Sequence, residues 1–316
     1  MKISFIIPCY YSSKNLENVI EELNSTINGL DYDYEIVLVN DGSTDSTFDV
    51  ICNMAKKNLH IKGVDLAINS GQHNAIMAGM NYCDGDYVMI LSDDGQTPLN
   101  VISEMAQTLD NGYDAVCVRY ISRKKRSLFR KIGTKVNSSI TNWLIPSPRD
   151  VKFSIDLMMK KCIVNEIVKY EGPYTYFPGL LFRTTQKVKN IEAEQKGRIS
   201  GESGYTIKKL VKLFMDGFTA FSVKPLRISA KLGALFSLGG LVGIIYTVIR
   251  KIVNHSVQVG WSSIIVLLLL IGGIIMIMLG LIGEYIGRIY MCINKAPQFV
   301  VRETINITQN EKKDID

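Results

Sequence analysis

Over the first hundred residues, short apolar runs alternate with stretches of helical period, the pattern of a parallel sheet with crossover helices. Residues 3–7 read as a strand that Pro8 ends, and Leu16, Val19, Ile20, Leu23 and Ile27 fall on one face of a helix within 15–30. Residues 34–39 form a second strand that stops at the turn Asn40-Asp41-Gly42-Ser43, and a helix begins near Ser46, capped by Asp45 or Ser46. Further strands are predicted at 61–66, 87–91 and 115–118, with a helix over 71–82. Polar clusters follow the strands, and in an open α/β sheet ligands bind outside the carboxyl ends of the strands. These clusters are therefore expected to meet at one site.

The pattern changes towards the C-terminus. Residues 232–249 contain 18 positions without a charge and 261–283 contain 23. At about 1.5 Å rise per residue both are long enough for a hydrocarbon core of about 30 Å. They predict two transmembrane helices joined by a turn through Asn254 to Gly260. Lys224, Arg227 and Lys231 before the pair, with Arg288, Lys295 and Arg302 after it, outnumber Arg250 and Lys251 between them. That bias predicts both ends of the chain on the cytoplasmic side. Gly239, Gly243, Gly283 and Gly287 give small-xxx-small spacing, which suits packing between these helices or against a second protomer of a homo-oligomer.

The formal charge of +6 matters less than its distribution. Arg119, Arg123, Lys124, Lys125, Arg126, Arg130 and Lys131 form one basic run, suited to anionic head groups or a phosphorylated ligand. The six cysteines contain no CxxC pair and no zinc spacing, so reduced thiols in a cytosolic compartment are expected. The N-terminal apolar run is too short for a signal peptide.

Four blocks carry the candidate chemistry: Ile6-Ile7-Pro8-Cys9-Tyr10, Val39-Asn40-Asp41-Gly42-Ser43-Thr44-Asp45, Asn69-Ser70-Gly71-Gln72, and Gly85-Asp86-Tyr87 leading to Ser92-Asp93-Asp94-Gly95-Gln96-Thr97-Pro98. In this order the chain resembles family 2 glycosyltransferases, in the polyprenyl-phosphate branch that includes dolichyl-phosphate mannose synthases and bacterial forms with two C-terminal transmembrane helices. The resemblance spans residues 2–290. It implies a GT-A fold: α/β, Rossmann-like, a mostly parallel sheet with helices on both faces, plus a C-terminal two-helix transmembrane hairpin. The expected division is a catalytic domain over 1–204, an amphipathic juxtamembrane segment over 205–229, the helix pair over 230–287 and a cytoplasmic tail over 288–316.

The implied activity is inverting transfer of a sugar from a nucleotide-sugar, expected to be a UDP-sugar, to a polyprenyl phosphate at the cytoplasmic membrane. Nucleotide-sugar, lipid phosphate and membrane are the expected partners, with no nucleic acid. Pro8 and Tyr10 are implied to wall the nucleotide pocket, and Asp41, read as exposed at the tip of its strand, to accept hydrogen bonds from the base or ribose. Gly71 opens a helix whose unpaired N–H groups suit an anion, with Asn69 and Gln72 beside the donor. Asp86 is divided between donor contact and capping the start of a strand, and His73 is read mainly as an interfacial residue. Asp93 and Asp94 are the candidate ligands of a divalent cation, Mg²⁺ or Mn²⁺, because a diphosphate leaving group is neutralised by a cation on hard carboxylate oxygens. The motif departs from the family's Asp-x-Asp at Ser92.

A phosphate monoester nucleophile has a second pKa near 6 and is already mostly ionised, so positive charge is needed more than a strong base. Arg119, Arg123 and Arg198, with Ser203 and Tyr205, are the candidate acceptor-phosphate residues; Arg119 and Arg198 are also placed with Asp93 and Asp94 as catalytic. The block Lys196-Gly197-Arg198-Ile199-Ser200-Gly201-Glu202-Ser203-Gly204-Tyr205 is similar to a family stretch, with Gly204 where a lysine is usual, and Asp156 stands where relatives carry an arginine. Ile207, Leu210, Val211, Phe214 and Phe218 share one helical face, as in a helix lying on a membrane or packing on the catalytic domain. Two rivals remain. One is a transferase that adds the sugar to a hydroxyl of a lipid-linked glycan or polysaccharide; for its processive form the Trp of a Gln-x-x-Arg-Trp motif is missing at Ile199. The other is an inactive transferase-like membrane scaffold.

Overall fold

A computed structural model describes residues 1–121, 148, 150–194, 261–307 and scattered positions from 226 to 253. The chain divides into two units, Met1–Leu210 with Lys295–Asp316, and Val211–Asn294.

In the first unit β1 (Lys2–Cys9), α1 (Leu16–Ile27), β2 (Asp33–Asn40), α2 (Thr47–Lys57), β3 (Ile61–Leu66), α3 (Gln72–Asn81) and β4 (Tyr87–Ile90) alternate as the apolar pattern predicts. A 3-10 turn (Leu99–Val101) leads into α4 (Ile102–Asp110), followed by β5 (Ala115–Ile121), β6 (Leu157–Lys160), α5 (Lys161–Ile167), α6 (Phe177–Thr184) and β7 (Val188–Glu194). Among the described residues these strands and β8 (Val301–Ile305) form one sheet, ordered β7-β5-β6-β4-β1-β2-β3-β8. Neighbours β4-β1, β1-β2, β2-β3 and β5-β7 run parallel. β6 is antiparallel to both β4 and β5, and β8 is antiparallel to β3. The expected mostly parallel sheet is present, with two reversed strands that the sequence reading did not include.

Strand alternation sorts the side chains. Ile3, Phe5 and Ile7 join Ile36, Leu38, Met89 and the apolar faces of α1, α2 and α4 in one core. Ile6 and Val39 point to the opposite face, where α3 packs so closely that a Cβ on Gly79 would lie 2.5 Å from Ile6 Cγ2. Helices therefore cover both faces. Pro8 does not end β1, which continues to Cys9 beside β2. It does end the pairing with β4, which stops at Ile6↔Ile90, because proline offers no N–H for the next ladder bond.

Part of the stretch expected as a cytoplasmic tail pairs with this unit. Ala67 donates its N–H to Val300 O, β8 pairs with β3, and Asn306 Nδ2 donates to Ala55 O (2.7 Å) and Ile61 O (2.9 Å). Gln298 Nε2 donates to Gly172 O at 3.0 Å and to Thr175 Oγ1 at 2.7 Å. All six cysteines are unpaired.

In the second unit α7 (Trp261–Ile293) has 33 residues, about 50 Å of helix. Within it Ile271–Ile293 is long and apolar enough to cross a membrane, with a mean hydropathy of 1.6. Met276 and Ile277 are 69% and 75% exposed. The helix runs ten residues past the predicted 283, and Arg288 Nη2 meets Glu284 Oε1 at 2.9 Å one turn earlier. Within the first expected span, Gly233, Leu238, Val242, Ile245, Tyr246 and Ile249 are helical. The bounds of that helix, and nearly all of the expected amphipathic segment, lie outside the described residues.

Candidate functional site

The first three sequence blocks and the Ser92 to Pro98 part of the fourth meet at the carboxyl ends of β1 to β4, and hydrogen bonds between them fix the meeting. After β1, Tyr11 donates its N–H to Ser43 Oγ (3.1 Å), and its hydroxyl lies 2.8 Å from Thr44 Oγ1. Tyr11 takes φ +56, which turns the chain out of the strand and leaves Tyr10 44% and Tyr11 53% exposed. Their rings meet edge to face at 4.6 Å. Asp45 Oδ1 accepts the Thr47 N–H at 3.2 Å, so Asp45 is the side chain that caps α2.

Asp41 corrects the sequence reading. It is 3% exposed, not a projecting tip. Its Oδ1 accepts the Ser70 N–H at 2.7 Å and its Oδ2 the Gly71 N–H at 3.0 Å, while Asn69 Nδ2 donates to its backbone oxygen at 3.2 Å. Burial pushes the Asp41 carboxyl up, and the two amides pull it back. Gly42 permits the contact: its φ is +61, and a Cβ there would lie 2.4 Å from Asn69 N. Asp41 thus fixes the loop that opens α3 and leaves the following amides at the sheet end. Asn69 is exposed and Gln72 half-buried beside it.

The acidic turn follows β4. Asp93 Oδ2 accepts the Ser12 hydroxyl and the Tyr10 N–H (3.4 Å), which ties the turn to the end of β1. Burial pushes the Asp93 carboxyl up, and the neighbouring Asp94 charge adds to that push against the Ser12 and Tyr10 donors. Asp94 Oδ1 accepts the Gln96 N–H at 3.1 Å. Two adjacent hard carboxylates, of which Asp93 is pushed up by burial and by the Asp94 charge, fit a divalent cation, which would relieve the repulsion. Among the described residues no three His, Cys, Asp or Glu side chains group closely enough to hold a metal. Among the described residues, any cation here draws on one or two carboxylates.

Other predicted residues are placed differently. Asp86 lies at the amino end of the strands, where its Oδ2 accepts the Lys2 N–H at 2.9 Å. β4 is four residues long, about 13 Å, which removes Asp86 from the acidic turn; strand capping is its role and donor contact is withdrawn. Pro8 is buried in β1. Tyr10, not Pro8, supplies the exposed surface after this strand. Arg119 lies towards the carboxyl end of β5 and faces Glu192 on β7 at 3.6 Å, an exposed and therefore weak pair. His73 packs edge to face on Tyr176 at 5.9 Å, as its interfacial reading expects. Arg123, Arg198, Ser203, Tyr205 and Gly204 lie outside the described residues.

Further residues at this end of the sheet were given no role from the sequence, and Asp156 was noted there only as standing where relatives carry an arginine. Asp156 is 5% exposed beneath the acidic turn and accepts from Thr97 Oγ1 at 2.7 Å and Tyr120 OH at 2.5 Å. Burial and the Asp156 charge hold the Tyr120 hydroxyl firmly protonated. Asp65 accepts Asn40 Nδ2 at 2.7 Å and Arg302 Nη1 at 3.2 Å, linking the base of the Asp41 turn to β8. A carboxylate at the end of the buried strand over 61–66 was the signal available for it.

Residues 4–159 match the family described as glycosyl transferase family 2, and residues 224–289 match the GtrB C-terminal hairpin. The chain is 30% identical over 311 residues to a Bacillus subtilis (strain 168) protein described as uncharacterized glycosyltransferase YkcC, covering 97% of this chain and 95% of that one. It is 29% identical to the undecaprenyl-phosphate 4-deoxy-4-formamido-L-arabinose transferase of Proteus mirabilis (strain HI4320), covering 98% and 96%. Among solved structures, mannosyl-3-phosphoglycerate synthase from Rubrobacter xylanophilus aligns with a TM-score of 0.49 at 13% identity, covering 73% of this chain and 75% of that one.

Proposed function

The chain belongs to glycosyl transferase family 2, and from that premise we propose that this enzyme transfers a sugar, with inversion, from a UDP-sugar to a polyprenyl phosphate at the cytoplasmic face of a membrane. One observation carries the donor half: four polar blocks far apart in sequence are hydrogen-bonded together at one end of the sheet, with amides, an exposed tyrosine pair and two acids turned to the same place. Tyr10, Asn69, Gln72 and the loop fixed by Asp41 hold the nucleotide. Asp93 and Asp94 hold Mg²⁺ or Mn²⁺ with the donor diphosphate; the cation supplies charge neutralisation for the departing nucleotide.

The acceptor half rests on likeness and connectivity. A relative matched along nearly its whole length is named for undecaprenyl phosphate, and the hairpin family covers residues 224–289. The chain leaves the catalytic sheet before α7 and returns to the same sheet as β8, so any membrane is crossed an even number of times in between. That supports two spans, with both flanks on one side. Arg119, Arg123 and Arg198, with Ser203 and Tyr205, are the proposed phosphate clamp; transfer needs no strong base, because the phosphate oxygen arrives ionised. The test is to incubate detergent-solubilised protein with undecaprenyl phosphate, Mg²⁺ or Mn²⁺ and a panel of labelled nucleotide sugars. Label in the organic extract supports the reading; donor binding with label appearing only on an added glycan supports the hydroxyl acceptor instead.

A further inference from the structure

Two positions at which the chain departs from its family's pattern, Ser92 and Asp156, touch each other. Ser92 begins the acidic turn and Thr97 closes it, with the Ser92 N–H donated to Thr97 Oγ1 at 3.3 Å. Both hydroxyls point at one carboxylate oxygen: Ser92 Oγ reaches Asp156 Oδ1 at 3.2 Å and Thr97 Oγ1 reaches it at 2.7 Å. Asp156 Oδ2 takes the Tyr120 hydroxyl from β5. The Val118 N–H donates to Asp156 O at 3.0 Å, which fixes the residue's backbone to the same strand.

A buried carboxylate is costly unless its lone pairs are filled, and here three hydroxyl donors fill them, with no cationic partner among the described residues. The consequence reaches the two acids. Asp93 and Asp94 lie between the two hydroxyl residues, so their separation is set by a loop whose ends are held on one oxygen. Like charges side by side favour splaying of that loop, and the clamp opposes it. Asp156 lies behind the acids and does not join them, since no three such side chains group as metal ligands among the described residues.

We propose that Asp156 is a positioning residue for the divalent-cation site: with Ser92, Thr97 and Tyr120 it holds the Asp93–Asp94 turn in the geometry that receives the cation and donor diphosphate. This rests on the assignment of Asp93 and Asp94 as the metal-binding acids. The test titrates Mn²⁺ by electron paramagnetic resonance into the full detergent-solubilised chain with uridine diphosphate present. Wild type, Asp156→Ala, Thr97→Val and Tyr120→Phe are compared, and nucleotide affinity without metal is measured in parallel. Asp156→Ala is expected to weaken Mn²⁺ binding at least tenfold, and the single-donor variants about threefold each, with metal-free nucleotide affinity unchanged within twofold. A merely structural role would move both affinities together and would overturn the proposal. Mn²⁺ affinity at the wild-type level in Asp156→Ala would also overturn it. If Asp156→Ala does not fold, the two single-donor variants decide: threefold losses support the clamp and wild-type values refute it. Absence of Mn²⁺ binding in the wild type would remove the metal assignment itself, a failure distinct from a wild type that binds and variants that match it.

Discussion

Replacing Asp41 with asparagine tests whether this buried carboxylate acts by holding the loop over 69–71. The side chain keeps its size, but one terminal oxygen becomes an NH₂ facing a backbone N–H. The two bonds in question, 2.7 Å to Ser70 N and 3.0 Å to Gly71 N, are charge-assisted in the wild type. Hydrogen bonds to charged groups contribute about 1.5–3 kcal/mol each and neutral ones about 0.5–1.5 kcal/mol. Asp41→Asn keeps at best one neutral bond, so the expected loss is about 2–4 kcal/mol, shared between global stability and order in the loop. If about half falls on the loop, nucleotide affinity drops about 5- to 30-fold. The remainder lowers the melting temperature by several degrees, at about 2–4 °C per kcal/mol for a domain of this size. Calorimetric titration of uridine diphosphate and thermal unfolding of the solubilised chain read the two parts separately. Nucleotide affinity within twofold of wild type, together with an unchanged melting temperature, would refute the role assigned to Asp41.

Three further outcomes follow from the same geometry. Burial alone would raise the Glu35 carboxyl, but the Ser4 hydroxyl, the Asp84 amide and Lys62 together hold it down to about 2. A depressed carboxyl stabilises the fold above its unfolded value near 4.5, and that contribution fades as pH falls from about 4.5 towards 2; the shift corresponds to at most about 3 kcal/mol. Urea unfolding at pH 7 and pH 3 should show this extra acid sensitivity in the wild type and its loss in Glu35→Gln, which is also less stable at pH 7 because Lys62 is left buried without its counter-charge. Deleting the chain from residue 298 onward removes β8 and uncovers the edge of β3, and is expected to give protein that aggregates or is rapidly cleaved in limited proteolysis. Asp94→Asn should lower turnover at least a hundredfold with a melting temperature within about 2 °C of wild type, measured by steady-state kinetics at saturating donor.

Much of the catalytic unit was legible because its strands are short, mainly apolar runs that end in turn chemistry: 3–7, 34–39, 61–66 and 87–91 each mark a real strand. The convergence of their polar ends followed from parallel topology alone. What escaped was set by long-range register. β6 is four residues long, too short for periodicity, and its pairing with β4 and β5 is what brings Asp156 to Ser92 and Tyr120. β8, Val-Arg-Glu-Thr-Ile, lies beyond an apolar hairpin and joins the sheet through backbone bonds, so a charged segment there read as a tail. Asp41 was misread as exposed because a turn motif does not reveal that another loop closes over it. Asp86 was left between donor contact and strand capping because a motif's spacing does not say at which end of a strand its first acid falls.

The central claim is that the sugar is joined to a lipid phosphate and not to a hydroxyl. Mass spectrometry with fragmentation of the organic-phase product from undecaprenyl phosphate and the active donor tests it most directly. The expected product is a lipid monophosphate carrying one sugar on its phosphate, formed by the wild type and not by Asp94→Asn. A product whose new sugar is attached to another sugar, or donor turnover that leaves the undecaprenyl phosphate unmodified, would contradict it.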